Sequence, residues 1–261
     1  MSKIVFFDID GTLHCPGLGI PDSAMEAVGR LIKNGHKAVM CTGRSKGMMP
    51  EEYFHMGFHG MILGAGAYVE YEGKMLHHQL MKENEIQTII EWGKKQDIGI
   101  ILEGDRSGYY DTDNSYDYYK ELVGRTQRDT GTILRPLSEA RDVPKWTYHH
   151  LDPNRKHEIE EILGNGVKGT FHEPANSVEF LPAGINKAVG IQQILQFSGI
   201  DREDSYAFGD SANDIEMLQY VNYGVAMGNA VPELLAEAEY KTSRADEDGI
   251  ALGLKKFELI D

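Results

Sequence analysis

Short apolar runs bounded by turn residues recur through the first eighty positions. Ile4-Val5-Phe6-Phe7 is a run of strand-favouring residues that Gly11-Thr12 soon breaks. In AMEAVGRLIKNG the apolar positions return at helical spacing and stop at Asn34-Gly35. KAVMCTGR follows as a second apolar run ending in a polar turn. A strand, a helix and a strand of these lengths predict a right-handed parallel unit. A third strand around Met61 to Leu63 follows a short helix, and YVEYEGKMLHHQ reads as a hairpin turning at Glu72-Gly73.

From about Lys82 the pattern changes. ENEIQTIIEWGKKQ is an amphipathic helix, IGIILEG and GYYDT are strand-like, DYYKELVG is helical and KWTYHHL is a strand. NRKHEIEEILG is another helix, followed by VKGTF and NSVEFL as a strand pair. A helix followed by two strands, occurring twice, predicts an antiparallel sheet with helices on one face. INKAVGIQQILQFSG then returns to helical spacing, and DSYAFGDSANDIEML repeats the opening logic of a short strand running into acids. YGVAMGNA, a helix from Val231, YKTS and a last helix near Gly249 complete the parallel part, with Gly228-Asn229-Ala230 either bordering a cleft or forming only a turn. The expected fold class is therefore α/β, a parallel-sheet core at 1–82 and 183–261 interrupted by an inserted α+β domain at 83–182.

Composition narrows the class of partner. The 261 residues are 41% hydrophobic and 26% charged, which suits a globular chain. A formal net charge of -15 disfavours nucleic acid and anionic membrane surfaces. It also repels a phosphate ester at long range, but screening over roughly 8 Å at physiological salt leaves a local site in control. No run approaches a membrane span and the N-terminus enters the first strand without a signal-peptide pattern, so a cytoplasmic protein is expected. Cys15 and Cys41 give neither a disulfide framework nor zinc spacing, and Cys41 reads as a plain buried residue. The pairs His77-His78 and His149-His150 point to opposite strand faces and read as ordinary surface or interface residues. DTDNSYDYY at 111–119 has the acids of a calcium loop but Tyr116 and Leu122 where that loop needs glycine and an acid, so no calcium site is expected.

The candidate chemistry sits at strand ends. Asp8 and Asp10 follow the first apolar run, at the edge where open parallel sheets bind ligands. An extended path through Asp10 puts both carboxylates on one side, with Ile9 on the other. Neighbouring carboxylates repel unless a cation or a shared proton intervenes, and a hard divalent ion such as Mg²⁺ is the natural partner. Thr42 belongs to the same edge, where its hydroxyl and the following backbone N–H groups can hold phosphate oxygens. Lys187 begins a helix, a position the macrodipole slightly disfavours for a cation unless it faces negative charge. Asp210 ends a strand as Asp8 does, while Asn213 or Asp214 can cap the helix beginning there.

FFDIDGTL, CTGR at Cys41 to Arg44, the lysine of AGINKAVGI and FGDSANDIEML stand in the order of the four motifs of the haloacid dehalogenase superfamily, which this sequence resembles. The resemblance implies a Rossmann-like core with an inserted cap of the C2 type, in the Cof-type branch, that covers the site and contributes substrate contacts. It implies a Mg²⁺-dependent phosphatase acting on small phosphorylated metabolites, sugar phosphates foremost. Asp8 is then the nucleophile and Asp10 the acid and base. Lys187 neutralises charge on Asp8 and the phosphoryl group. Thr42, Gly43, Arg44 and Asn213 contact phosphate or substrate. The metal is held by Asp8, Asp210 and the backbone carbonyl of Asp10, with Asp214 a ligand or an anchor behind the ligands. A monomer or weak homodimer is expected, with no nucleic-acid or membrane partner. The alternatives are a phosphomutase of the same superfamily and a non-enzymatic phosphate-responsive regulator resembling a receiver domain.

Overall fold

In the computed structural model, which describes residues 2–172 and 175–261, the first apolar run is the middle of a sheet. All four side chains of β1 (Ile4–Phe7) are inaccessible to solvent, as a strand covered on both faces requires. Alternation divides them. Val5 and Phe7 join one apolar cluster with Leu31, Phe208 and Leu254, and Ile4 and Phe6 join another with Val39, Ile62, Ile191 and Met217. Phe7 stacks on Phe208 with ring centroids 5.5 Å apart.

The chain divides into two compact units. Unit 1 takes in the chain up to Gly43, Phe54–His77 and Asn186–Asp261. Its strands after β1 are β2 (Lys37–Cys41), β3 (Gly60–Leu63), β4 (Tyr68–Tyr71) and β5 (Lys74–His78). Three more come from the end of the chain, and these are β12 (Ser205–Gly209), β13 (Tyr223–Ala226) and β14 (Tyr240–Lys241). Among the described residues the order is β14-β13-β12-β1-β2-β3-β4-β5. Pairing is parallel from β14 to β3 and antiparallel at β3 and β4. Helix α1 (Asp22–Lys33) buries Ala24, Ala27, Val28 and Leu31, an i, i+3, i+4, i+7 stripe, and packs beside α8 (Gly249–Lys256). On the other face lie α5 (Lys187–Ser198) and α6 (Ile215–Tyr220).

Unit 2 comprises Arg44–Tyr53 and His78–Ile185. Its strands are β6 (Gly99–Glu103), β7 (Gly108–Tyr110), β8 (Arg135–Pro136), β9 (Lys145–His149), β10 (Val167–His172) and β11 (Ser177–Pro182), in the order β10-β11-β9-β6-β7-β8. All neighbours are antiparallel except the short β7 and β8 pair. Helices α2 (Glu83–Gln96) and α4 (Lys156–Ile162) cover a core of Ile89, Trp92, Trp146, Tyr148, Ile159 and Phe180. Trp146 and Phe180 are stacked 4.7 Å apart. Helix α3 (Asp117–Thr130) packs Tyr119 and Val123 on Ile101, Met48 and Leu134, in a separate cluster.

Two features differ from the pattern read along the chain. Arg44–Tyr53 clusters with unit 2, because the Gly47 N–H donates to the Gly104 carbonyl at 3.0 Å, Ser45 Oγ donates to the same oxygen at 3.1 Å and Met48 packs on Ile101. His149 is not a surface residue. Its outward-looking face of β9 is closed over, leaving the residue 8% exposed. Around Asp111, Lys94 Nζ lies 3.2 Å from Asp111 and 3.0 Å from Asp113.

Burial, helped by the charges of His150 and Arg125, lowers the His149 pKa to about 4. The unfolded chain therefore binds the proton first on acidification, and stability falls as pH drops from about 6.5 towards 4. The loss approaches about 3 kcal/mol. Urea unfolding of the wild type and His149→Gln across this range checks it: the difference between the two is expected to shrink by that amount at the acid end, and a pH-independent difference would contradict it.

Candidate active site

The backbone of β1 keeps its ladder for one residue past the strand: the Asp8 N–H donates to the Phe208 carbonyl at 3.0 Å. It then turns, with the N–H groups of Thr12 and His14 both donating to the Ile9 carbonyl at 3.1 and 2.7 Å. The extended path does not reach Asp10, so the two carboxylates do not share one environment. Asp8 is 3% exposed, whereas the Asp10 side chain is half exposed, its Oδ1 3.9 Å from His14 Nδ1. The turn separates a buried acid from one that can meet solvent.

Lys187 is drawn into the protein by two acids. Asn186 caps α5 by accepting from the Val189 N–H at 2.9 Å, which fixes Lys187 as the first helical residue. Its Nζ donates to Asp8 Oδ1 and Asp214 Oδ1, each at 2.6 Å, and the residue is 1% exposed. Burial alone would lower the lysine pKa, but Asp214 and Asp8 outweigh it and raise it, so the ammonium is charged.

β12 brings the other acids. Asp214 Oδ2 accepts from the N–H groups of Asp210 and Ser211, both at 3.0 Å, so both of its oxygens are engaged. Gly209 is required by the close approach, since a Cβ there would lie 2.6 Å from that of Asp214. Asp210 Oδ1 accepts from Thr12 Oγ1 at 3.0 Å. Gly11 has φ +86° and faces the same carboxylate; a Cβ on it would stand 2.2 Å from Asp210 Oδ2.

One carboxylate oxygen from each of Asp8, Asp210 and Asp214 falls within 4.8 Å of the others. Three carboxylates face one ammonium, an excess of two negative charges when all are ionised. The result is visible in the pKa values. Burial, with Asp214 and Asp210 nearby, lifts Asp8 well above the usual carboxylate range despite Lys187, and burial and Asp214 lift Asp210 to about 6. A hard divalent cation would supply the missing charge, and an all-oxygen donor set is the kind such ions take. The residues fit one.

Thr42 is buried at the end of β2, its N–H donating to Ile62 and its carbonyl accepting from Ala65. Gly43 lies beside Asn213: a Cβ on it would be 3.5 Å from Asn213 Nδ2. The exposed Asn213 side chain accepts from Ser211 Oγ at 2.7 Å. Thus unit 1 brings together Asp8, Lys187, Asp210 and Asp214, and sets Gly43 by Asn213. Arg44 begins unit 2. Cys41 is fully buried, and burial raises its thiol pKa, as suits an inert residue. Two further side chains support the site. Asn229 Nδ2 donates to the Gly11 carbonyl at 2.8 Å while its Oδ1 accepts from the Ala245 N–H at 2.9 Å, so the Gly-Asn-Ala turn anchors the first loop. Thr12 lies within the first motif but joins it to Asp210.

The profile of the haloacid dehalogenase-like hydrolases matches residues 5–254. YkrA of Bacillus subtilis (strain 168), named as a phosphatase, is 30% identical over 259 residues, covering 99% of each chain. From the same organism, the 5-amino-6-(5-phospho-D-ribitylamino)uracil phosphatase YitU is 26% identical, over 97% of each. A sugar phosphatase of HAD subclass IIB has a solved structure that superposes with a TM-score of 0.82 at 26% identity, covering 99% of this chain and 100% of that one.

Removing the ammonium tests the electrostatics without any turnover. Lys187→Met leaves two buried carboxylates unpaired and is expected to cost about 3–5 kcal/mol in urea unfolding with chelator present at pH 8. The carboxylates can answer by taking up protons, so the cost should be smaller at pH 5. An equal loss at both pH values would refute this account.

Proposed function

The chain belongs to the haloacid dehalogenase-like hydrolase family, and from that premise we propose that it hydrolyses phosphate monoesters of small metabolites, sugar phosphates foremost, through an aspartyl-phosphate on Asp8 with Mg²⁺ as cofactor. The observation that carries the reading is the contact of Lys187 with Asp8 and Asp214 beside Asp210, side chains from three distant parts of the chain whose carboxylates surround one candidate cation position. The names of its relatives, a ribitylaminouracil phosphatase and a sugar phosphatase, support a small organic ester as substrate.

Asp8 attacks phosphorus through one carboxylate oxygen, and the bond from phosphorus to the ester oxygen breaks. Lys187 holds Asp8 in place for this and offsets negative charge there. Asp10, at the solvent-facing turn, gives its proton to the departing alkoxide; it then takes one from the water that attacks the aspartyl-phosphate, and phosphate leaves with Asp8 restored. Asp8, Asp210 and the Asp10 carbonyl would hold Mg²⁺, which would supply the positive charge that lets a carboxylate approach a phosphate dianion. Asp214, with both oxygens committed, acts as the anchor for Lys187 and the Asp210 backbone rather than as a ligand. Thr42, Gly43 and Asn213 bind the phosphoryl oxygens, and Arg44, the next residue of the CTGR motif, is the further phosphate contact.

Phosphate release from a panel of sugar phosphates, nucleotides and cofactor phosphates tests the assignment. Asp8→Asn is expected to retain the fold and lose turnover by more than about 10³-fold, and Asp10→Asn to bind substrate yet turn over at least about 10²-fold more slowly. Chelation should abolish activity and Mg²⁺ restore it. Near wild-type activity in Asp8→Asn would remove the nucleophile, and isomerised product in place of free phosphate would mark a mutase.

A further inference from the structure

An asparagine side chain is nearly symmetric in shape but not in chemistry. Its Nδ2 carries two donors and its Oδ1 only accepts, so packing hardly distinguishes the two orientations and hydrogen-bonding neighbours choose between them. A phosphoryl group offers acceptors alone and needs the donor end. At Asn213 that end is turned towards Gly43: of the two amide atoms it is Nδ2 that comes within 4 Å of a Cβ built on Gly43, at 3.5 Å. The carbonyl end is taken by Ser211, whose Oγ donates to Asn213 Oδ1 at 2.7 Å.

Distances favour this orientation over the flipped one. A separation of 2.7 Å is typical of O–H···O and lies at the short limit for N–H···O. In the flipped amide Nδ2 would donate to Ser211 Oγ and displace the hydroxyl proton towards Asp214 Oδ2, which at 3.3 Å is beyond the usual O–H···O range. That oxygen already accepts from the N–H groups of Asp210 and Ser211, both at 3.0 Å. The hydroxyl also stands on a firm base. The Ser211 N–H is held by Asp214, and Asp214 is fully buried and held by Lys187 at 2.6 Å. A line of hydrogen bonds therefore leads from the buried lysine through Asp214 and Ser211 to an exposed amide beside Gly43.

We propose that Ser211 is a positioning residue: its hydroxyl fixes the Asn213 amide with Nδ2 towards Gly43, so that a donor and not an acceptor meets the phosphoryl oxygens. This role deepens the phosphatase reading and rests on its assignment of Asn213 to the phosphate. Ser211 acts through Asn213 and not by touching substrate. Without the hydroxyl the amide is free to turn. Phosphate then binds only the fraction of molecules that present Nδ2, and it must also order a side chain that Ser211 had already ordered.

Phosphate binding reads this role without turnover. The full-length protein in Mg²⁺ is titrated with inorganic phosphate, with affinity taken from calorimetry and the Asn213 side-chain amide followed by NMR, its signal assigned through Asn213→Ala. In the wild type that signal is expected to shift and saturate. Ser211→Ala should weaken phosphate by about 2- to 10-fold, and Ser211→Thr, which keeps the hydroxyl, should bind within about twofold of the wild type. In an Asn213→Ala background Ser211→Ala should have no further effect, because no amide is left to orient. Ser211 also caps the helical turn that follows it, and loss of that cap alone would weaken phosphate equally in both backgrounds. Such equality, unchanged affinity in Ser211→Ala, or an Asn213 signal indifferent to phosphate overturns the proposal. Hydrolysis of p-nitrophenyl phosphate, measured alongside, separates the two readings: phosphate binding that depends on Ser211 without hydrolysis counts against the phosphatase chemistry alone, and hydrolysis with phosphate binding indifferent to Ser211 counts against the positioning role alone.

Discussion

Lys187 donates to Asp8 and Asp214 from a fully buried position at the first turn of α5, and unit 1 is arranged around that contact. Asp8 follows β1 directly and Asp214 lies in the helical turn after β12, and those strands are neighbours paired in register from Ile4 with Ser205 to Phe7 with Phe208. Burying a carboxylate alone is costly, and burying two side by side more so. The ammonium makes the pair tolerable, yet Asp210 completes a group that still carries too much negative charge. The site is thus built short of positive charge, which is the condition under which it can hold both a cation and a phosphate ester.

Glycine is the other half of that construction. Side chains that converge this closely leave no room for a Cβ behind them, and Gly11 and Gly209 are the positions where the space runs out. Gly11 has a further demand, a positive φ that turns the chain back after Ile9. Asn229 then holds the Gly11 carbonyl from the opposite loop. The turn has a chemical consequence, since it keeps Asp8 dry while leaving Asp10 half exposed, and two acids two residues apart acquire different surroundings.

Much of this was legible in the chain. The apolar run at Ile4–Phe7, the helical spacing that begins at Lys187 and the acids after Phe208 mark local structure by period, and period survives folding. What local pattern could not carry is where a chain leaves its expected path. Alternation through Asp10 failed because a hydrogen-bonded turn at Ile9, closed by Thr12 and His14, costs less than continuing an unpaired strand. Arg44–Tyr53 reads as part of the first domain because it follows β2 directly, but its Gly47 N–H donates to the carbonyl of Gly104, in a distant part of the chain. Asn229 has no signature beyond a turn dipeptide, for its role depends on a carbonyl more than two hundred residues away. His149 was misread because adjacent histidines fix only that one faces each way, not whether the outer face is covered.

The two faces of the sheet in unit 2 extend the same point. On β9, Trp146 and Tyr148 are committed to the core, and apolar area decides their orientation. That choice leaves Lys145, Thr147 and His149 together on the reverse side, where β11 adds Ser177 and Glu179 by its register of Glu179 opposite Thr147. A strand built only for stability would put charge there in water. Here the residues are buried instead, and Lys145 is retained at the expense of two glutamates that must accompany it. Replacing such a group by well-packed apolar residues is often neutral or stabilising, so stability alone does not account for keeping it.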